Sequence, residues 1–237
     1  MGYMKIALIG YGKMGKLVEQ IAIAHGHVIV VKIDPKCQNK TISAESLIDS
    51  DVCIDFTHPS QALKNLELAA ELGKNVVIGT TGWYEDLNKA EKIVNRHQIG
   101  CIYSPNFSLG IALFIKMLSM AATIIAPFDS YDVGGMEIHH NQKADAPSGT
   151  AQLIRDELQK LIPRKTNQID FSSLRVGSVP GTHSIIFDSP VDTITLTHAA
   201  RNREGFAIGA IHAAEWIIGK KGLFTLDDLL GDVYEKA

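Results

Sequence analysis

Short runs of consecutive apolar residues recur through the first hundred positions of the chain, with helix-like stretches between them. Five such runs occupy residues 5–9, 28–33, 52–55, 75–78 and 100–103. Because the runs are continuous rather than alternating, they are typical of strands that are buried on both faces of a parallel sheet. Strands that alternate with helices in this way predict a Rossmann-like, doubly wound α/β unit.

The pattern changes after residue 108. Residues 109–126 form a long apolar stretch, which we interpret as a buried helix because Lys116 near its middle would cost about 2.5–3.5 kcal/mol in a membrane. Alternating runs separated by short turns follow, and they indicate an antiparallel or mixed sheet. The predicted strands lie at 131–139, 175–179, 183–187 and 193–197, with a helix from about Thr150. This part predicts a mixed α+β domain, and residues 205–230 again predict helix.

Composition and charge narrow the possible partners. The 237 residues are 46% hydrophobic and 21% charged, and the formal net charge is −3. This balance provides no basic surface for nucleic acid and no polybasic stripe for a membrane, so we expect a small-molecule partner. Cys37, Cys53 and Cys101 are far apart and odd in number. They predict neither a disulfide framework nor a zinc site, and they favour reduced thiols in the cytoplasm.

A glycine-rich turn joins the first predicted strand to the first predicted helix. It consists of Gly10, Tyr11, Gly12, Lys13, Met14 and Gly15, and Asp34 follows 19 residues later at the end of the second strand. The first glycine permits a tight turn, the second lets the backbone approach a pyrophosphate, and the third lets the helix pack on the strand. An acidic residue at this distance accepts hydrogen bonds from ribose hydroxyls. A dinucleotide site is therefore favoured over a purely structural turn.

Three more segments come directly after predicted strands. They are Phe56 with Thr57, the Gly79-Thr80-Thr81-Gly82 loop, and the Ser104-Pro105-Asn106-Phe107-Ser108 loop. Loops at the carboxyl ends of parallel strands build the ligand crevice of an open α/β sheet. We therefore regard them as candidates for the nicotinamide side of the site. On spacing alone, a turn or a helix cap is an equally good interpretation of each.

The densest group of reactive side chains follows the predicted strand 131–139. His139, His140 and Lys143 can each carry a proton or a positive charge. A metal site or a solvated turn is the alternative interpretation. Metal binding is less favoured because adjacent residues on a strand point to opposite faces and no third ligand stands at a usual spacing. Proton transfer is the preferred hypothesis.

A predicted helix start lies just beyond these residues. Ser148 is placed to cap that helix, and the backbone N–H groups of Gly149 and Thr150 would then point toward an anionic group such as a carboxylate. Basic side chains beside an anion-binding helix end indicate an acidic substrate.

Together these motifs resemble one enzyme family, that of 4-hydroxy-tetrahydrodipicolinate reductase, also called dihydrodipicolinate reductase. The resemblance covers nearly the whole chain, and the segment 137–150, with its pattern Glu-x-His-His-x-x-Lys-x-Asp-Ala-Pro-Ser-Gly-Thr, is its most specific part. The segments 175–183, 198–203 and 222–230 are also similar. The resemblance implies an NADH- or NADPH-dependent oxidoreductase that reduces a cyclic dicarboxylate, 4-hydroxy-tetrahydrodipicolinate, in diaminopimelate and lysine biosynthesis.

The resemblance also implies a domain arrangement. Residues 1–105 and 204–237 would form the dinucleotide-binding domain, and residues 106–203 would bind substrate and form the contacts of a homotetramer. His139 would be the proton donor and Lys143 a second candidate for that role. His140 and Arg203 would contact the substrate. A substrate carboxylate would be held by Ser148, Gly149 and Thr150.

The same resemblance and the strand-end pattern give the expected cofactor contacts. They are Gly10, Tyr11, Gly12, Lys13, Met14, Gly15, Asp34, Lys36, Phe56, Thr57, Gly79, Thr80, Thr81, Ser104, Pro105, Asn106 and Phe107. No metal is expected. Asp34 would repel the 2′-phosphate of NADPH, while Lys36 would offset part of that repulsion. We therefore expect both cofactors to be used, with NADH equal or moderately preferred.

Two other functions compete with this interpretation. Another nicotinamide-dependent imine or aldehyde reductase could use a similar first domain, but it would not need the anion site at 148–150. A non-catalytic NAD-sensing regulator should carry a DNA-binding segment or a basic face, and the sequence shows neither.

Overall fold

Each of the five apolar runs forms a strand, with the predicted boundaries. They are β1 (Lys5–Ile9), β2 (Val28–Ile33), β3 (Val52–Asp55), β4 (Asn75–Ile78) and β5 (Gly100–Tyr103). The structure, a computed structural model, describes residues 2–163 and 169–234. It divides the chain into two units: unit 1 is Met1–Leu109 with Glu204–Ala237, and unit 2 is Gly110–Arg203.

Unit 1 is built on one parallel sheet with helices between its strands. The helices are α1 (Lys13–Ala24), α2 (Ala44–Leu47), α3 (Pro59–Glu71) and α4 (Leu87–His97), the last preceded by a 3₁₀ turn at Tyr84–Asp86. The strands carry the core, since Ile6, Ile54 and Ile102 are at most 1% exposed. Burial of such side chains on both sheet faces is what their continuous apolar runs predicted.

The prediction of uninterrupted helix over 205–230 is wrong in its middle. In unit 2, α5 (Leu109–Ile125) and α6 (Gly149–Leu161) are the long helices, and the chain then returns to unit 1 as α7 (Glu204–Ile217). Gly219, two residues after the helix ends, has a positive φ of 78° that does not continue a helix, and Gly222, with a φ of 131°, begins the next element.

A sixth parallel strand follows, numbered β10 because four strands of unit 2 come before it. It occupies Gly222–Thr225 and pairs with β5, after which α8 (Leu226–Tyr234) closes the described chain. The strand order of the sheet is β10-β5-β4-β3-β1-β2.

Unit 2 has a four-stranded mixed sheet, as predicted. Its strands are β6 (Asp132–His139), β7 (Phe171–Arg175), β8 (Thr182–Asp188) and β9 (Thr193–Ala199). They lie in the order β7-β6-β8-β9, with β6 and β7 parallel and the other pairs antiparallel. One face packs on α5 and α6 through a core that includes Phe114, Ile154 and Phe187.

One strand of unit 2 was predicted in the wrong place. The expected strand 175–179 is a turn, and β7 ends at Arg175 where that prediction began. Gly177 has a φ of 53°, a left-handed conformation that does not continue a strand. The shift places Arg175 directly beside His139 in the parallel register of β6 and β7.

Candidate active site

The glycine-rich turn lies between β1 and α1, as predicted, and its three glycines have different surroundings. A Cβ atom on Gly10 would lie 2.4 Å from the carbonyl oxygen of Phe56, and one on Gly15 would lie 2.3 Å from that of Gly10. A Cβ on Gly12 would meet no atom within 4 Å. Packing therefore explains the first and third glycines, while the second leaves open space at the start of a helix, where a phosphate can approach the backbone.

Asp34 is fixed against the same turn. Its Oδ2 accepts a hydrogen bond from the Tyr11 N–H at 2.9 Å, and its Oδ1 accepts one from the Lys36 N–H at 3.0 Å. These bonds hold the pKa of Asp34 below its usual value, so the side chain is anionic. The carboxylate therefore has a defined position, whereas the side chain of Lys36 is exposed.

The side chain of Tyr11 is also held in place. Its hydroxyl contacts Glu19 and the Lys32 ammonium, and that ammonium lies 4.7 Å from the centre of the Tyr11 ring. Lys13 is exposed and Met14 is partly buried. Lys32 belongs to no recognisable sequence motif. Its contact with Tyr11 connects it with the glycine-rich turn only in the folded chain.

Asp55, at the end of β3, connects two of the predicted cofactor loops. Its buried Oδ1 accepts hydrogen bonds from the N–H and hydroxyl of Thr57 and from the hydroxyl of Thr80, at 2.7–2.9 Å. Asn65 donates to its other oxygen at 2.8 Å. Burial raises the pKa of Asp55, although these bonds oppose the rise. The sequence singled out Thr57 and Thr80 but not the carboxylate that fixes both.

The remaining loop residues differ in exposure. A Cβ on Gly79 would lie 2.1 Å from the Phe56 ring, so the glycine leaves room for that ring. The hydroxyl of Ser104 accepts from the Asn106 N–H at 3.1 Å and thereby shapes its loop. Thr81 and Pro105 are exposed, while Phe107 is 2% exposed and belongs to the core.

Unit 2 contains a fully buried carboxylate, Glu137, at the end of β6. Its Oε1 accepts hydrogen bonds from the Ser148 N–H at 3.0 Å, the Ser173 hydroxyl at 2.8 Å and the Arg175 guanidinium at 2.8 Å. Burial alone would raise the pKa of Glu137, but the hydrogen bonds from Ser148, Arg175 and Ser173 outweigh it and lower the pKa to about 2. Glu137 is therefore an anchored anion.

Two histidines face the other oxygen of Glu137. Oε2 lies 3.3 Å from Nδ1 of His139 and 3.6 Å from Nε2 of His183. The two rings are 5.2 Å apart in an edge-to-face arrangement. Burial lowers the pKa of His139 below its usual value, with Glu137 opposing the shift, and burial together with His139 lowers the pKa of His183 to about 4. Both rings are therefore neutral at neutral pH.

The predicted helix cap is confirmed. Ser148 precedes α6, its Oγ accepts from the Ala151 N–H at 3.1 Å, and it lies 3.3 Å from Nε2 of His183. Gly149 and Thr150 form the first turn, and a Cβ on Gly149 would meet nothing within 4 Å. The helix start is thus joined to the Glu137 cluster, with open space beside it.

Lys143, His140 and Arg203 lie outside this buried cluster. The Lys143 ammonium forms an ion pair with Asp145 at 2.7 Å, and its charge acts on His139 by lowering the pKa of that ring. His140 is partly buried directly after β6. Arg203 is exposed in the segment between β9 and α7.

Sequence reasoning missed part of this cluster. Arg175 and His183 were expected by default to have a surface or structural role, and Glu137 was noted only as the first residue of the segment 137–150. The signal that could have found Glu137 was a carboxylate at an inward-facing position of a strand, two residues before His139. His183 is far away in sequence and reaches the site because it pairs with Glu137 across β6 and β8.

The same three side chains offer atoms that a metal ion could contact. Ligand atoms of Glu137, His139 and His183 lie within 4.8 Å of one another, the sole such group found within residues 2–163 and 169–234. The Arg175 guanidinium already binds the carboxylate, and Lys143 adds a second positive charge close by. Two cations oppose the binding of a third, so the charges around the cluster disfavour a metal ion there.

Comparison with known proteins places these features in a family. Residues 4–107 match the family profile described as dihydrodipicolinate reductase, N-terminus, and residues 110–230 match the one described as dihydrodipicolinate reductase, C-terminus. The chain belongs to the dihydrodipicolinate reductase family. As a member of this reductase family it is an oxidoreductase, and the family implies a nicotinamide cofactor.

Relatives in the family align over nearly their full length. The protein from Christiangramia forsetii named 4-hydroxy-tetrahydrodipicolinate reductase is 39% identical, with 98% of this chain and 100% of that protein covered. The one of the same name from Archaeoglobus fulgidus is 36% identical, with coverages of 96% and 100%. The resemblance stated from the sequence is confirmed.

Solved structures agree with the fold. The dipicolinate-bound dihydrodipicolinate reductase from Paenisporosarcina sp. TG-14 superimposes with a TM-score of 0.81 at 27% identity, covering 94% of this chain and 98% of that one. Aspartate semialdehyde dehydrogenase II from Vibrio cholerae, with a TM-score of 0.55 at 13% identity, has a related fold only.

Proposed function

We propose that this protein reduces 4-hydroxy-tetrahydrodipicolinate to tetrahydrodipicolinate with NADH or NADPH, in diaminopimelate and lysine biosynthesis. The observation that carries the proposal is the cluster in unit 2. There a buried, anchored Glu137 faces His139 and binds the N-cap of α6, next to Lys143. A ring with two carboxylates needs both cationic side chains and a helix start that binds anions. The names of the family relatives fit this substrate.

Within this proposal, the cofactor is bound by unit 1. The residues present fit a dinucleotide, because the turn leaves open space at Gly12 and Asp34 is an anion fixed beside it. When bound, the nicotinamide supplies a hydride. Thr57 and Thr80, both fixed by Asp55, would orient the nicotinamide side, together with the loop 104–107.

The substrate is bound by unit 2 in this proposal. The start of α6 and His140 hold one carboxylate, and Arg203 contacts the substrate as well. The 4-hydroxyl group leaves as water, and hydride addition to the conjugated ring that remains produces an electron-rich centre, so one proton must arrive and charge must be neutralised. His139 delivers the proton. Lys143 neutralises the developing charge, or is itself the proton donor in place of His139. For either role, Lys143 must leave its ion pair with Asp145 and bind the substrate instead.

We further propose that the protein is a homotetramer. Helix α5 buries one face in unit 2 but exposes a stripe of apolar side chains on the other. Leu113, Met117, Met120 and Ile124 are 39%, 56%, 64% and 61% exposed, at spacings that place them on one face of the helix. A second copy of the chain is the partner that would cover this stripe.

The expected location is the cytoplasm. Cys53 and Cys101 are buried free thiols, and burial raises the pKa of both. Such thiols fit a reducing compartment. Within the described residues, the helices are too short or too polar to cross a membrane. The charge balance of the whole chain continues to argue against nucleic acid as a partner.

Freshly generated substrate tests the proposed function. Pyruvate and aspartate semialdehyde are condensed enzymatically, the protein is added with NADH or NADPH, and loss of reduced-cofactor absorbance is followed. We expect the reduced cofactor to be consumed only when the condensation product is present. A cyclic imine without carboxylates is the control, and we expect no reduction of it. Equal rates on both compounds would favour a general imine reductase, and no consumption by the folded protein would refute the proposal.

A further inference from the structure

The two oxygens of Glu137 have different partners. Oε1 receives hydrogen bonds from Ser148, Ser173 and Arg175, whereas Oε2 faces His139 and His183. Oε2 and Nδ1 of His139 are 3.3 Å apart, and among residues 2–163 and 169–234 both atoms are buried without a hydrogen bond of standard geometry, to each other or to a third group. Three bonds to one oxygen fix the carboxylate, so the free oxygen has a defined position beside the ring.

We propose that Glu137 is a positioning residue that keeps a proton on Nδ1 of His139, so that Nε2 is the atom that exchanges protons with the substrate. A buried carboxylate stabilises an N–H directed at it and destabilises a lone pair there. The neutral ring is therefore held in the Nδ1–H tautomer. When Nε2 is also protonated, the same carboxylate stabilises the imidazolium.

The other ring nitrogen has space beside it. A Cβ atom on residue 181 would lie 3.0 Å from Nε2 of His139, and this residue is a glycine. Any other side chain at this position would press on Nε2. The carboxylate on one side and the glycine on the other thus give the two nitrogens different surroundings: Nδ1 faces Glu137, and Nε2 faces Gly181, where no side chain presses on it.

The charges around His139 come from four elements or segments. They are Glu137 on β6, Arg175 on β7, His183 on β8, and Lys143 with Asp145 in the segment after β6. Burial and the two cations lower the pKa of His139, while the two carboxylates raise it. Glu137 is the carboxylate in contact with the ring. Removing its charge therefore lowers the pKa of His139 further and reduces the fraction that can donate a proton.

Histidine NMR on the wild-type protein tests the tautomer directly. The chain is labelled with ¹⁵N-histidine, and the His139 signals are identified among the nine histidines by their loss in His139→Gln. We expect the long-range ¹H–¹⁵N pattern of the Nδ1–H tautomer at pH 8. The Nε2–H tautomer would overturn the proposal. This measurement needs neither substrate nor cofactor, so it stands even if the proposed function fails.

Glu137→Gln tests the consequence for proton transfer, which does rest on the proposed function. Glutamine keeps an oxygen for Ser148, Ser173 and Arg175 but turns an NH₂ group toward His139. We expect the ring to change to the Nε2–H tautomer and kcat at pH 7.5 to fall at least 10-fold. The pH above which kcat declines should move down by at least one unit, because the imidazolium is the donor. KM for the substrate should change less than threefold.

Glu157→Gln is the matched control, because Glu157 lies on α6 in the same unit and is partly exposed. It should leave the His139 tautomer and the pH profile unchanged. A fall in kcat in Glu137→Gln without a change in tautomer or pH profile would show a merely structural role and overturn the proposal. If Glu137→Gln does not fold, the wild-type tautomer decides alone.

Discussion

At the scale of single residues, the proposed function separates side chains that would carry chemistry from those that hold them in place. His139 and Lys143 are in the first group because their side-chain nitrogens can carry a proton. Glu137 and Asp55 are in the second group because they are buried and accept several hydrogen bonds. Motifs mark the first group because its residue types are distinctive. The second group is defined by contacts between distant positions, which one sequence does not display.

We predict large effects on turnover from the proton-carrying residues. His139→Ala and Lys143→Ala should each lower kcat by a factor on the order of 10² to 10⁴, the usual contribution of a positioned acid. Lys143→Ala should also raise KM, because it removes a positive charge that faces the dicarboxylate. Steady-state kinetics measure both effects, and circular dichroism checks folding. Near-normal turnover in both folded variants would place the proton donor elsewhere.

Cofactor choice is predicted from two neighbouring residues. Asp34 is held by the backbone of Tyr11, so its charge is fixed, while the exposed Lys36 contributes about 1 kcal/mol or less. We expect NADH to be equal or moderately preferred. Asp34→Ala should shift the ratio of kcat/KM values toward NADPH, and Lys36→Ala should shift it toward NADH. A wild-type preference for NADPH above about 100-fold, near 2.7 kcal/mol, would contradict this role of Asp34.

At the scale of elements, sequence periodicity predicted strands well where both faces are buried. The boundaries of β1 to β5 agree because each run is mostly apolar and has a polar residue or glycine at its carboxyl end or directly after it. Periodicity failed for β10, which has only two apolar residues, Leu223 and Phe224, and is followed at once by α8. It also failed for β7, where only the following glycine turn fixes the end. The site residues were likewise predicted only where the sequence signal is local. The segment 137–150 was found, but its partners on β7 and β8 were not.

The unfolding free energy of unit 2 should depend on pH through its buried histidine. The pKa of His183 is about 4 when folded, against an ordinary value of 6.5, so the unfolded chain takes up a proton first as pH falls. The contribution of His183 to the unfolding free energy is about 3 kcal/mol above pH 6.5, and it is lost as the pH falls from 6.5 to 4. Glu137 adds a further loss between 4.5 and 2. Urea unfolding at pH 4–8 measures this, and His183→Gln should reduce the slope between 6.5 and 4, while His139, whose pKa is also lowered, retains part of it.

Helix packing in unit 1 predicts opposite effects for two glycines. A Cβ on Gly209 of α7 would lie 1.7 Å from the carbonyl oxygen of Phe107, whereas one on Gly231 of α8 would meet nothing within 4 Å. Gly209→Ala should lower the unfolding free energy by about 3 kcal/mol or more, because backbone must move. Gly231→Ala should raise it by up to about 1 kcal/mol. Chemical denaturation of both variants provides the comparison, and equal stabilities would contradict the close contact between Gly209 and the Phe107 backbone.

At the scale of the whole molecule, the exposed stripe on α5 is the feature that supports the proposed homotetramer. Its residues follow the spacing of a helix face that packs against another protein surface, while the opposite face is already buried in unit 2. An isolated stripe of this kind would be costly in water.

We predict the mass of a tetramer by light scattering. Introducing charge into the stripe with Met117→Lys and Met120→Lys together should reduce the mass, because burying two ammonium groups in an apolar contact is unfavourable. Ile48→Lys is the control, since Ile48 is equally apolar and 72% exposed in unit 1, and it should leave the mass unchanged. A wild-type monomer at micromolar concentration would contradict the prediction.

The pairing of β10 with β5 has a consequence for synthesis in the cell. The ribosome makes β5 early, but the strand that covers its edge emerges only after all of unit 2. At roughly 5–20 residues per second, the edge of β5 stays open for several seconds or more. An open strand edge can pair with a neighbouring nascent chain on the same messenger. Unit 2, which is continuous in sequence, can fold during that interval, so the chain completes its second unit before its first.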